Sequence, residues 1–116
     1  MPSGCRLTKD QRLRKASDFL LVQTDPKRLY SKNFLLLVKK SSRLSRLGLT
    51  VSKKVDRRAV VRNKIKRRLR EIFRRERSKF IENFDIIVIA RQNAGDCSYL
   101  EIKRQIIGAL HHGGIL

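Results

Sequence analysis

The sequence predicts a single small α+β domain in which helices cover a short sheet. Three observations carry this. Three apolar runs, beginning at Phe34, Leu47 and Ile86, have the length and residue types of strands. One long stretch of helical periodicity separates the second run from the third, and another helical stretch follows the third. At 116 residues and 13.6 kDa the chain is the size of one domain, residues 1–116, able to bury roughly two-thirds of its unfolded surface.

In chain order, residues 1–14 are polar and basic and read as an arm ordered only in part. Thr8 and Gln11 fit a capping box, although Leu13 alone is a poor apolar face. Phe19-Leu20-Leu21-Val22 reads as a short helix starting near Ser17 or Asp18 and broken by Asp25-Pro26. The stretch from Tyr30 to Val38 is strand-like, as one long strand or two short ones. Leu47, Leu49 and Val51 alternate onto one face of a following strand.

Asp56 stands where the main helix should begin, with the helix running from near Ala59 to near Lys79. Val61, Ile65, Leu69, Ile72 and Phe73 share an arc of about 120° at about 100° per residue. The run through Ile86-Ile87-Val88-Ile89 is β-branched and has the character of an interior strand buried on both faces. After an Ala94-Gly95-Asp96 turn, a last helix begins at Ser98 or the residue before it. Leu100, Ile107 and Leu110 are among its apolar positions, and it ends before Gly113-Gly114.

Charge is the unusual feature: 29 Lys+Arg against 10 Asp+Glu give a formal net charge of +19. A domain this small with that charge repels itself unless a polyanion neutralises it. Nucleic acid is the first candidate and an anionic membrane surface the second. Membrane spanning is excluded by length, because the longest apolar runs are five residues. No apolar signal segment follows Met1, so a cytoplasmic location is expected. Cys5 and Cys97 make neither a disulfide framework nor a metal site. Cys97 reads as an ordinary loop or helix-start thiol.

Between Arg57 and Arg77 eleven Lys/Arg face two acids, which concentrates +9 in one element. Arg62, Asn63, Lys66, Arg67, Arg70 and Arg74 occupy the arc beside the apolar one. A solvated face would interleave opposite charges at four-residue spacing, whereas Arg62, Lys66, Arg70 and Arg74 repeat one sign. That pattern calls for a phosphate partner, and arginine suits bidentate contacts to it. Phe73 and Phe84 fit the core. Phe19, Tyr30 and Phe34 are candidates for stacking on unpaired bases, with burial in the core as the ordinary alternative. No Gly-rich phosphate loop or nucleophile elbow occurs, and both histidines lie near the C-terminus. The residues indicate nucleic-acid binding without catalysis by the chain itself. A DNA-binding regulator would need a helix-turn-helix that the pattern lacks, so no DNA partner is expected.

Two segments are recognisable: Arg46-Leu47-Gly48-Leu49-Thr50-Val51-Ser52-Lys53-Lys54, and Arg58-Ala59-Val60-Val61-Arg62-Asn63-Lys64-Ile65-Lys66-Arg67-Arg68-Leu69-Arg70-Glu71. Together they resemble the signature of the bacterial ribonuclease P protein subunit. The likeness extends to Arg12-Leu13-Arg14, Phe19 with Val22, Asp85 with Val88 and Arg91, and Tyr99 with Glu101. Lys64 stands where that family often has arginine, and Gln23 where it often has a second aromatic.

The resemblance implies an α/β sandwich related to one domain of a ribosomal protein, with a left-handed βαβ crossover. It implies an RNA subunit that holds Mg²⁺ and cleaves precursor tRNA, and a protein that binds no metal alone and contacts that RNA and the 5′ leader. By position, Arg62, Asn63, Lys66, Arg67 and Arg70 would contact the catalytic RNA, extended along the same element by Arg57, Arg58 and Arg74. Phe19, Phe34 and Lys53, with neighbouring Tyr30 and Lys54, would line the leader cleft. A ribosomal or RNA-assembly protein without a processing role is the alternative.

Overall fold

The computed structural model describes residues 11–13, 15–41 and 44–116. Helix α1 (Ala16–Gln23) leads into a hairpin of β1 (Lys27–Tyr30) and β2 (Phe34–Lys40). Strand β3 (Arg46–Thr50), helix α2 (Ala59–Glu76), strand β4 (Phe84–Ala90) and helix α3 (Tyr99–His112) follow, with single 3₁₀ turns after α2 and before α3. The sheet order is β1-β2-β4-β3, antiparallel except for the parallel β3–β4 pair that α2 connects.

The segment from Tyr30 to Val38 is thus two strands, turned where the Ser31 N–H donates to the Phe34 carbonyl. Asp25 ends α1 with a left-handed φ of 53°, a conformation that short polar residues tolerate. Helix α1 starts after Lys15, which supplies no side-chain cap, and Asp18 lies in its first turn. Asp56 lies upstream of α2, its carboxylate accepting from the Arg58 N–H at 2.9 Å. Helix α3 has a full capping box between Ser98 and Glu101.

Register divides the sheet into two unlike faces. Leu29, Phe34, Leu36, Val38, Leu47, Ile86 and Val88 point toward α2 and α3, and join Ile65, Leu69, Ile72, Phe73, Ile102 and Ile106 in the main core. On the other face Leu37 and Ile87 form a small cluster with Val22 of α1 and Leu13. Strand β4 is buried on both sides, as its β-branched run requires.

Three expectations change. Leu100 is 55% exposed, because the buried stripe of α3 is Ile102, Ile106, Ala109 and Leu110, and Leu100 lies about 200° from Ile102 around the helix. Leu13 is buried, and its N–H donates to the Leu47 carbonyl, so the end of the basic arm is stitched to the edge of β3. Phe34 is wholly buried in the main core, on the sheet face away from α1. It pairs with Ala90, and period-two alternation sends both toward the helices. The rest of the arm, with Thr8 and Cys5, lies outside the described residues. Among the described residues, no helix is long and apolar enough to cross a membrane.

Candidate nucleic-acid interface

Helix α2 buries Ile65, Leu69, Ile72 and Phe73 against the sheet and α3, which fixes where its cations point. Several of them are engaged within the protein. The Arg58 guanidinium donates to both oxygens of Asp56, at 3.0 and 2.9 Å. Arg62 donates to the carbonyls of Asp56 and Arg57 and so ties down the loop before α2. Arg68 donates to the Cys97 carbonyl at 3.1 Å, linking α2 to the start of α3. Arg74 and Arg75 both hold Glu71, so Arg74 is an ion-paired member of the expected contact set.

Lys66, Arg67 and Arg70 make no hydrogen bond or ion pair within the described residues. Lys66 and Arg70 line a cavity of about 240 Å³ with Arg12, Leu13, Phe19, Leu47 and Leu49. Burial, and then the nearby Arg12 guanidinium, pull Arg70 below the ordinary arginine value. Arginine does not give up its proton in a protein, so the cavity concentrates positive charge that a phosphate would relieve. Phe19 is half-buried there: it packs on the α1-side cluster and also lines the cavity. Its two sequence readings, core and groove, are both realised. An added Cβ at Gly48 would come within 2.7 Å of Phe19 Cζ, so the missing side chain makes room for the ring.

A second groove, of about 1060 Å³, opens at the C-terminal ends of the parallel pair β3 and β4. Lys53, Lys54, Val55, Asp56, Arg57, Arg58 and Gln92 line it. The structure thus regroups the expected sites: Lys53 and Lys54 lie with Arg57 and Arg58, and Phe19 lies with Lys66 and Arg70. Asn63 is exposed on α2. Tyr30 is 64% exposed and sits opposite Leu35 on the α1 side of the sheet. Leu35 in turn pairs with Ile89 and Ile89 with Thr50, so one row crosses all four strands beside α1.

Beyond this grouping, sequence reasoning missed Arg12 and Gln92 as lining residues. The available signals were the basic-apolar-basic pattern at Arg12-Leu13-Arg14 and the position of Gln92 just after an interior strand. Asp56 is drawn down to about 2 by the hydrogen bonds from the Arg58 side chain and backbone. The same carboxylate raises Arg58 above the usual guanidinium range.

Comparison with known proteins decides what this arrangement belongs to. The ribonuclease P family model matches residues 7–113. The chain belongs to the ribonuclease P protein family. The ribonuclease P protein component of Dictyoglomus turgidum is 37% identical over 111 residues, covering 93% of this chain and 92% of that protein. A Staphylococcus aureus RNase P protein mutant with defective mRNA degradation activity superposes with a TM-score of 0.85 at 34% identity, covering 93% of this chain and 92% of that one. The RNase P protein from Thermotoga maritima gives a TM-score of 0.77 at 35% identity, covering 87% and 96% of the two chains. The chain is accordingly a protein subunit of ribonuclease P, a tRNA-processing endoribonuclease, and an RNA-binding protein.

Proposed function

We propose that the protein binds the catalytic RNA of ribonuclease P through the basic face of α2 and receives the 5′ leader of precursor tRNA between α1 and the sheet. One observation carries this reading. Lys66 and Arg70 share a cavity with Phe19, which sets cations for the phosphates of one RNA beside a stacking face for the unpaired bases of the other. In this reading Asn63, Lys66, Arg67 and Arg70 meet the catalytic RNA, and the Lys53–Arg58 groove extends that contact. Phe19 and Tyr30 face the leader, and the chemistry stays with the RNA.

The Mg²⁺ of the reaction is held by RNA phosphates in this proposal. Among the described residues, no group of three or more His, Cys, Asp or Glu is arranged to hold a metal ion. The protein's own part is electrostatic: cations between two RNAs lower the repulsion that Mg²⁺ would otherwise have to screen. Its expected location is the cytoplasm, with RNA as its polyanion. The test is precursor-tRNA cleavage by a bacterial ribonuclease P RNA at low Mg²⁺, with and without the purified protein. Acceleration is expected, and an unchanged rate would overturn the proposal.

A further inference from the structure

Helix α1 is poorly equipped to stay on the sheet by apolar contact. Of its residues only Val22 is fully buried, whereas Leu20 and Leu21 are 63% and 65% exposed. Its first turn has no side-chain cap and its last turn has no basic residue of its own. The sheet supplies the missing cation at its end and ties its first turn down through Asp18. Lys39, Asp85 and Arg46 stand side by side on β2, β4 and β3, in one register row on the face toward α1.

Arg46 holds Asp85 through two hydrogen bonds of 3.0 and 2.8 Å, and its other terminal nitrogen lies 3.4 Å from the Asp18 carboxylate of α1. The three side chains are largely withdrawn from water, at 16%, 12% and 25% exposure. Lys39 donates to the carbonyls of Leu21 and Thr24, at 3.2 and 2.7 Å. It therefore supplies, from another strand, the cation that the C-terminus of a helix attracts.

We propose that Arg46 and Lys39 form a charged clamp that seats α1, and that this seating sets the preference for a substrate with an unpaired leader by fixing Phe19 over Gly48. The proposal rests on the leader reading given above and names positioning residues for it. Asp18 approaches from the N-terminal half of the helix and the Leu21 and Thr24 carbonyls from its end. The clamp thus holds both ends while Phe19 lies between them. A shift of α1 moves the ring relative to Lys66 and Arg70 without touching either cation.

Arg46→Ala is a poor probe, because it strands the buried Asp85 carboxylate and the fold would suffer. The double variant Asp18→Asn with Lys39→Met cuts the helix side of the clamp and leaves the Arg46–Asp85 pair whole. Amide hydrogen exchange of residues 19–24 reports seating directly. It should accelerate about tenfold or more in the double variant, with β2 and β4 amides unchanged.

In the reconstituted holoenzyme, the ratio of mature-tRNA to precursor-tRNA dissociation constants should fall at least about fivefold, the low end of a lost stacking contact. The KM for precursor should rise in step, with kcat and affinity for the catalytic RNA unchanged. Asp18→Glu, which restores the carboxylate, should recover much of the ratio. Unchanged exchange would overturn the clamp, and faster exchange with an unchanged ratio would overturn its link to substrate choice. A wild-type protein with no leader preference would overturn the leader reading and that link together, while the exchange data would still decide the clamp.

Discussion

The two faces of the sheet are built on different principles. Toward α2 and α3 lies a continuous dry core in which Phe34, Leu36, Ile72, Ile86 and Ile102 are all but fully buried. Toward α1, among the described residues, the buried apolar side chains are the small set Leu13, Val22, Leu37 and Ile87, flanked by the half-buried Phe19, Leu35 and Ile89 and by a row of charges that includes the buried Asp85. One face fixes the fold. The other is less completely covered, and its Tyr30-Leu35-Ile89-Thr50 row is the surface that the proposed leader would meet. Ile72→Ala should therefore destabilise the whole protein by about 2–5 kcal/mol, seen as a fall in the denaturation midpoint. Val22→Ala removes about 1.5 kcal/mol of burial by methylene count, and its effect should appear first as faster exchange in α1. Equal global losses from the two would erase the distinction between the faces.

Phe19 sharpens the comparison because it serves both the small cluster and the cavity. Phe19→Leu keeps apolar contact with Leu13 while deleting the aromatic face. Binding of precursor tRNA by the holoenzyme should weaken by about 1–3 kcal/mol, with mature tRNA unaffected, since stacking needs an unpaired base. Parallel losses for both ligands would assign the ring to packing alone. Lys66→Ala with Arg70→Ala lies off the apolar arc and should leave the denaturation midpoint near wild type. The log–log salt slope for binding the catalytic RNA should shrink by roughly 1.4–1.8, at about 0.7–0.9 per lost phosphate contact. An unchanged slope would remove this part of α2 from the interface.

The dry face was the more legible of the two. Helix α2 declares itself through Ile65, Leu69 and Ile72 at helical spacing, and β4 through its unbroken β-branched run; both signals are local in sequence. What was hidden depends on register between distant segments. Phe34 looks like a stacking aromatic until its pairing with Ala90 turns it into the core. Lys39, Arg46 and Asp85 become neighbours only when three strands align, and no pattern within any one strand announces it. The basic content of α2 was evident, yet its partition was not. Arg62 and Arg68 are spent on backbone carbonyls and Arg74 on Glu71, choices set by loop and side-chain geometry rather than by helical period.

The smallest expected effect lies at the N-terminal end of α2, where the open groove meets the helix. Asp56 sits at about 2 in the folded protein against an ordinary 3.8, chiefly because Arg58 donates to it. A carboxyl lowered by folding stabilises the fold above its ordinary value, and that contribution is lost as pH falls through the folded value. The first turn of α2 should therefore loosen between about pH 4 and 2, with faster exchange at Val61 and Arg62, while the Leu69 and Ile72 amides stay protected. Asp56→Asn should abolish the pH step, and a step that persists would belong to another carboxylate. At neutral pH the same variant releases the Arg58 guanidinium from its anion. If the groove lined by Lys53, Lys54, Arg57 and Arg58 meets RNA phosphate, the salt slope should steepen by up to about 0.7–0.9, one added contact. A slope that stays the same would confine the RNA contact to the Lys66–Arg70 side of the helix and make Arg58 a local brace for its first turn.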